Sequence, residues 1–416
     1  MTIRRDATGD LALLLSAATL RSFATGMAGV LLGIYLARRG LSLPQIGLVL
    51  SAGLGSSLLT MVLISVRGDR WGRKRVLVAL AALGAIGGVW LVVADSYIVV
   101  LAAAILGMAN GTGRDRGPAT VIEQAILPQF TSDAQRTLTF ARYSLLQSLG
   151  RAFGGLAAGL PAVLQTGFGI TALASLQAVI LFYALVQLAT LLLAARLSPA
   201  VEAASRAEKV RLAPGSRRTL GKLSILFGID SIAGGFLASA LVSYFFFERF
   251  GVGSGTIGVL FFLAGLLNAA SHLGAAWLAS RIGLVNTMVF THIPANLILI
   301  GVGFAPSFAI AAALFLMREA LVEMDIPTRQ SYVMAVVRPE ERTLATGITN
   351  LVRVGGWAAA PSIAGFLMQG LTLAAPLFVG AALKIGYDLM LFAAFRKQKT
   401  PEEGSHEQAQ SQRTRK

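Results

Sequence analysis

Gly113-Arg114-Asp115-Arg116-Gly117-Pro118 breaks an apolar stretch that begins at Tyr97. A second apolar stretch, from Phe308, is broken by Arg318-Glu319 and then by Glu323-Met324-Asp325-Ile326-Pro327. Charge inside hydrocarbon is costly, so such residues face a bundle interior or a wet cavity and mark a pathway. Proline adds a second cost. Pro118 cannot donate to the carbonyl of Arg114, nor Pro327 to that of Glu323. Backbone groups freed at membrane depth persist only where protein or cavity water satisfies them. One such interruption in each half of a polytopic chain is the sequence pointer to a carrier's binding site.

Composition agrees. The 416 residues are 55% hydrophobic and 13% charged, with mean hydropathy +0.70. Soluble domains carry about 25% charged residues. This chain belongs in a lipid bilayer, with apolar length for about a dozen spans of about 20 residues each. Its net charge of +16 sits mostly beside helix ends. There it sets orientation, and no soluble basic domain exists to bind nucleic acid. The chain has no cysteine, which removes disulfides, thiolate nucleophiles and cysteine metal sites. His272, His292 and His406 are scattered and make no ligand cluster, so no cofactor or metal is expected. No G-x-x-x-x-G-K-[ST] loop is present for ATP. An intramembrane enzyme acting on lipid is the competing class. The missing His-Glu-x-x-His, the lack of clustered histidines and two matching halves favour a carrier.

Hydropathy and punctuation place helices at 11–37, 44–66, 75–94, 97–127, 137–161, 169–195, 223–248, 254–279, 285–305, 308–336, 342–369 and 373–395. The fold class is therefore an all-α polytopic membrane protein of twelve transmembrane helices. Residues 1–195 and 223–395 form two six-helix bundles, joined by a basic linker at 196–222. Residues 396–416 read as a disordered tail. Arg4-Arg5, Arg67 to Arg75, Arg136, the linker, Arg281, Arg338 to Arg342 and Arg396 to Lys399 fall on one side. Both termini are therefore expected in the cytoplasm, with Arg38-Arg39 a mild exception.

The halves repeat. Gly40, Ile46, Gly47, Arg70 and Gly72 match Gly251, Ile257, Gly258, Arg281 and Gly283 at one constant shift of 211 positions. Arg136-Thr137-Leu138 matches Arg342-Thr343-Leu344 at a shift of 206. Both halves start on the same side, as parallel repeats of a carrier do.

Between the second and third helices stands Ser65-Val-Arg-Gly-Asp69-Arg70-Trp71-Gly72-Arg73-Lys74. It resembles the G-x-x-x-D-R-x-G-R-K signature of the major facilitator superfamily, with serine at the leading glycine. Arg281-Ile282-Gly283 is a worn second copy without the aspartate. Gly150-Arg151-Ala152-Phe153-Gly154-Gly155 is similar to the superfamily's antiporter segment, with Arg151 where proline is expected. The resemblance covers about residues 11–395 and extends to many uncharacterised bacterial members. It implies two bundles related by a pseudo-two-fold axis and working by alternating access. It also implies a cytoplasmic gate built on Asp69, Arg70, Gly72, Arg73, Lys74, Arg281 and Gly283. Helices 1, 4, 7 and 10 would line the central path.

On those helices lie Arg21, Arg114, Asp115, Arg116, Glu123, Asp230, Arg318, Glu319, Glu323, Asp325 and Arg329. Arg151 and Arg353 lie at similar depth in helices 5 and 11. Arg116 and Glu123 are seven apart, which on a continuous helix puts them on one face; Glu319 and Glu323 share another at i, i+4. Neighbouring carboxylates oppose each other's ionisation, and burial opposes it further, so one of them can hold a proton. The leading proton carriers on this reading are Glu323, Glu319 and Glu123, followed by Asp115 and Asp325. Lys384 and Asp388, also i, i+4, read as a local pair. The expected function is proton-coupled efflux of a small molecule from a monomer in the bacterial inner membrane. The arginine content supports an alternative, uptake or exchange of an organic anion.

Overall fold

The computed structural model describes residues 2–131, 133–202, 214–324 and 341–395. Among them every regular element is helical. The first half holds α1 (Thr2–Arg38), α2 (Leu43–Trp71), α3 (Arg73–Val93), α4 (Tyr97–Leu106), α5 (Pro118–Ile126), α6 (Asp133–Ala157), α7 (Leu160–Phe168) and α8 (Ala172–Ala195). The second holds α9 (Pro214–Gly235), α10 (Ser239–Phe250), α11 (Ser254–Ile282), α12 (Leu284–Phe304), α13 (Phe308–Val322), α14 (Arg342–Gly370) and α15 (Ala375–Phe395). The expected tail at 396–416 lies outside the described residues.

Nine helical stretches among the described residues are long and apolar enough to cross a membrane. The three expected spans missing from that set are the fourth, fifth and tenth. The fourth and fifth are broken into shorter helices, and the described helix of the tenth is short and carries Arg318 and Glu319 near its end. Span four is α4 plus α5, and span five is α6 plus α7, split at Ala158-Gly159 before Pro161. Span ten is α13, which ends at Val322, directly before Glu323; residues 325–340 lie outside the described set. Span seven, expected as one helix over 223–248, is also split, into α9 and α10 after the Gly234-Gly235 pair. That pair was the overlooked signal.

The break in span four is longer than six residues. Helix stops at Leu106 and resumes at Pro118, whose missing amide costs nothing in the first turn. The intervening backbone satisfies itself. Asn110 Oδ1 accepts from the Thr112 amide (2.9 Å) and the Thr112 hydroxyl (2.6 Å), and Asn110 Nδ2 donates to the Arg114 carbonyl (2.7 Å). Second-half residues meet two more of its carbonyls. The Ala240 amide donates to Gly111 O at 2.9 Å, and Ser239 Oγ donates to Thr112 O at 2.9 Å. Irregular backbone at membrane depth thus survives because protein groups meet it.

The chain folds into two compact units that do not follow chain order. One comprises Met1–Ala207, Gly235–Leu266 and Trp357–Pro376. The other comprises Glu208–Gly234, Leu267–Gly356 and Leu377–Lys416. Inside the first unit, second-half segments dock on the end of α1 remote from the N-terminus. Ser243 Oγ donates to Val30 O (2.5 Å), and a Cβ on Gly33 would lie 2.1 Å from Ala240 O. On α2, a Cβ on Gly47 would lie 2.3 Å from Pro361 O, and the Ser362 amide donates to Ser51 Oγ at 2.9 Å. Backbone meets backbone along this seam because glycine leaves the space.

The same close approach fixes the broken loop. Gly113 adopts φ +70°, and a Cβ on Gly29 would lie 2.3 Å from Gly113 Cα. Gly29→Ala is therefore expected to cost about 1–3 kcal/mol, since backbone must move. Gly55→Ala, whose Cβ would meet nothing within 4 Å, should leave stability within about 1 kcal/mol of the parent. Thermal unfolding of the two purified variants in one detergent checks the contrast.

Candidate functional site

Arg21 of α1 grips both acids of span four. Its Nη1 and Nη2 reach Glu123 Oε1 (2.5 Å) and Oε2 (2.6 Å) as a fork, and Nε reaches Asp115 Oδ2 at 2.8 Å. Planar guanidinium suits this two-pronged bond to a carboxylate. α6 closes the cage. Tyr143 OH donates to Glu123 Oε2 (2.8 Å), and Gln147 Nε2 contacts Tyr143 OH (3.1 Å) and Asp115 Oδ2 (3.4 Å). Ser22 Oγ adds a bond to Asp115 Oδ2 at 3.3 Å. Glu123 is 1% exposed and Arg21 9%, so water screens little of this.

The charge count decides what the cage can do. Two carboxylates face one guanidinium, and Arg21 is their one cationic partner among the described residues. Burying an uncompensated negative charge is expensive, so an added cation is favoured there. All three side-chain donors to the Asp115 carboxylate, from Arg21, Ser22 and Gln147, converge on Oδ2.

Helical spacing failed for Arg116. It precedes Pro118 in the unwound loop, so the assumed helix linking it to Glu123 does not exist there. Its guanidinium instead lies over the Trp357 ring, 4.6 Å from the centroid. Sequence reasoning placed Glu123 and Arg21 among the candidates without pairing them, and missed Tyr143 and Gln147. These last two sit at i, i+4 on α6, a spacing with no charge to advertise it.

The second unit separates its candidates. Arg318 pairs with its neighbour Glu319, whose Oε2 accepts from Asn268 Nδ2 at 2.9 Å. Glu323 is buried just past the end of α13. Asp230 accepts from Lys384 Nζ at 2.6 Å. That corrects the local reading of α15: Lys384 reaches across to α9, and Asp388 pairs with His292 Nδ1 of α12 at 3.0 Å. Each charge on α15 therefore meets a partner from a different helix. Asp325 and Arg329 lie outside the described residues. Arg114 lies in the loop between α4 and α5, Arg151 in α6 and Arg353 in α14.

The turn motif is a built structure. Arg73 Nε bonds Asp69 Oδ1 (2.9 Å), its Nη1 bonds Ala125 O (3.2 Å), and Lys74 Nζ bonds Leu197 O (2.7 Å). Arg70 points outward. Glu202, assigned in sequence to the linker, caps α3: its Oε2 accepts from the Arg73 amide at 2.7 Å. A carboxylate there satisfies orphan amides and the helix dipole together. Gly72 and Gly283 share a left-handed backbone, φ +87° and +86°, and Arg281 stacks on Trp277 at 4.4 Å.

The sequence profile of the Major Facilitator Superfamily matches residues 14–361. The uncharacterized membrane protein YJR124C of Saccharomyces cerevisiae is 25% identical, over 94% of this chain and 94% of that protein. Among solved structures, the nucleoside transporter NupG superposes with a TM-score of 0.72 at 15% identity, over 94% of this chain and 99% of its own. A bacterial homolog of the human lysosomal transporter Spinster, inward-facing and occupied, gives 0.70 at 15%, over 92% and 94%. The human organic anion transporter MFSD10 gives 0.61 at 16%, over 92% and 99%. At these identities the superpositions speak for the fold.

Arg21→Met should strand two buried carboxylates and cost about 3–5 kcal/mol. The double variant Arg21→Met/Glu123→Gln should recover a large part of that loss. Thermal midpoints of the two single variants and the double, read as a double-mutant cycle, check the coupling.

Proposed function

As this chain belongs to the Major Facilitator Superfamily, we propose that it is a proton-coupled secondary transporter exporting a small molecule by alternating access. The supporting observation is the cage, where Asp115 and Glu123 share one guanidinium. A proton on the Asp115–Glu123 pair brings the cage to neutrality, and its release restores the negative charge. Such a switch, on α1 and span four, biases whichever packing of the helices suits each charge state. The seam at Gly33, Gly47, Ser243 and Ser362 serves as the closed gate of the cycle, and the Asp69–Arg73 turn as part of the opposite gate. On this reading the helices group as two six-helix bundles, 1–195 and 223–395. Both termini lie in the cytoplasm, and the membrane is the bacterial inner membrane.

A second reading, exchange of an organic anion, draws on Arg116, whose guanidinium lies over the Trp357 ring in the broken stretch of span four. It also draws on the likeness to a structure named as an organic anion transporter.

The experiment is flux in sealed proteoliposomes, using compounds that raise the purified protein's melting temperature. An imposed pH gradient should drive flux of the parent protein. Glu123→Gln should bind the compound but lose at least about tenfold of the gradient-driven flux, the scale of one functional proton site. Flux that ignores the pH gradient, with Arg116→Gln abolishing it, would transfer the case to anion exchange.

A further inference from the structure

Equivalent contacts, helix bounds and burial patterns align the two halves element by element. A Cβ on Gly150 of α6 would meet Thr19, Ser22 and Phe23 of α1; one on Gly356 of α14 would meet Gly228, Ser231 and Ile232 of α9. Thr19, Ser22 and Phe23 each precede their counterparts by 209 positions, so Arg21 corresponds to Asp230. α3 and α12 share bounds shifted by 211, which pairs Ala81 with His292. α8 and α15 share a burial pattern: Gln187 and Thr190 are inside with Leu188 and Leu192 outside, and Asp388 and Leu391 are inside with Leu389 and Ala393 outside. That shift of 201 pairs Tyr183 with Lys384 and Gln187 with Asp388.

The equivalent space is used in opposite ways. In the second half Asp230, His292, Lys384 and Asp388 fill it with buried ion pairs. In the first half their counterparts Arg21, Ala81, Tyr183 and Gln187 wall a chamber of about 70 Å³, shared with Asp115 and Glu123. Gln187 is 6% exposed; its Nε2 donates to Tyr183 OH at 3.0 Å, while its Oε1 has no hydrogen-bond partner among the described residues. A buried carbonyl oxygen left unmet asks for a donor or a cation. Thr190 Oγ1 spends its proton on Val186 O, so it too offers lone pairs to the chamber.

We propose that this chamber binds one small monovalent cation, of the sodium class, held by Gln187 Oε1 and the Asp115 carboxylate. The second half builds its monovalent cation into the fold as the Lys384 ammonium; the first half takes one from solution. The charged groups on the lining are Arg21 of α1, Asp115 of the loop and Glu123 of α5, a net single negative charge. α8 adds the Tyr183 hydroxyl, α6 closes the cage with Tyr143, and α2 and α3 offer the lining no titratable side chain. One excess charge suits a monovalent ion rather than a divalent one, and oxygen donors suit a hard cation. The inference rests on the cage as the coupling centre and adds that a metal cation and a proton compete for it.

The test is the melting temperature of the full chain in detergent at about pH 8. NaCl, LiCl and KCl are titrated against choline chloride at equal ionic strength. Sodium should raise the midpoint by a few degrees in a saturable way, choline should not, and the sodium response should shrink as pH falls. Gln187→Leu, which removes the ligand, and Ala81→Leu, which fills the chamber, should each lose the response while melting cooperatively in choline. Identical curves in sodium and choline overturn the cation site and leave a chamber that holds only water. If pH-gradient-driven flux persists in that case, the proton-coupled reading stands without the cation site. If the sodium response is present and the pH gradient drives nothing, the reverse holds.

Discussion

Two carboxylates bound to one buried guanidinium are the constraint on which the first half is built. Arg21 must reach across from α1 to both Asp115 and Glu123, and these sit on either side of Pro118. Only an unwound stretch after Leu106 brings Asp115 back to the same guanidinium that holds Glu123. The loop is affordable in hydrocarbon because Asn110, Thr112, Ser239 and Ala240 answer its backbone groups. Charge, helix break and seam are therefore one construction, and each part accounts for the next.

The fold was legible because its signals are physical and local. Long apolar runs, basic flanks and the constant shift between Gly72 and Gly283 gave the spans and the repeat, and the two glycines share nearly the same φ. The charges before Pro118 marked a break, although the helix stops upstream at Leu106, and α13 ends directly before Glu323. The partners were not legible. A sequence shows which charges are inside but not which helix faces which, so Lys384 was assigned to its own helix when Asp230 of α9 holds it. Arg116 was read on a helical wheel that the unwound loop removes. Neutral partners such as Tyr143, Gln147 and Gln187 carry no charge to single them out against an apolar background. Glu202 was lost in the linker because capping depends on where a helix begins in space.

The repeat has kept its packing and changed its chemistry. The α6–α1 and α14–α9 crossings each set one glycine, Gly150 and Gly356, against equivalent positions, since helix approach depends on small residues. The side chains inside are free to differ. The second half is stapled by Asp230–Lys384 and His292–Asp388, and the first keeps an acidic chamber open. Breaking any of these buried pairs, in either half, would leave a charge uncompensated.

The central claim is that the Arg21 cage takes up one proton. Infrared spectra of the reconstituted protein, recorded through a pH titration, read it directly from the carbonyl stretch of a protonated carboxylic acid. A single band should grow as pH falls, and it should be altered or lost in Asp115→Asn and in Glu123→Gln. A titration in which no such band depends on either residue would contradict the account.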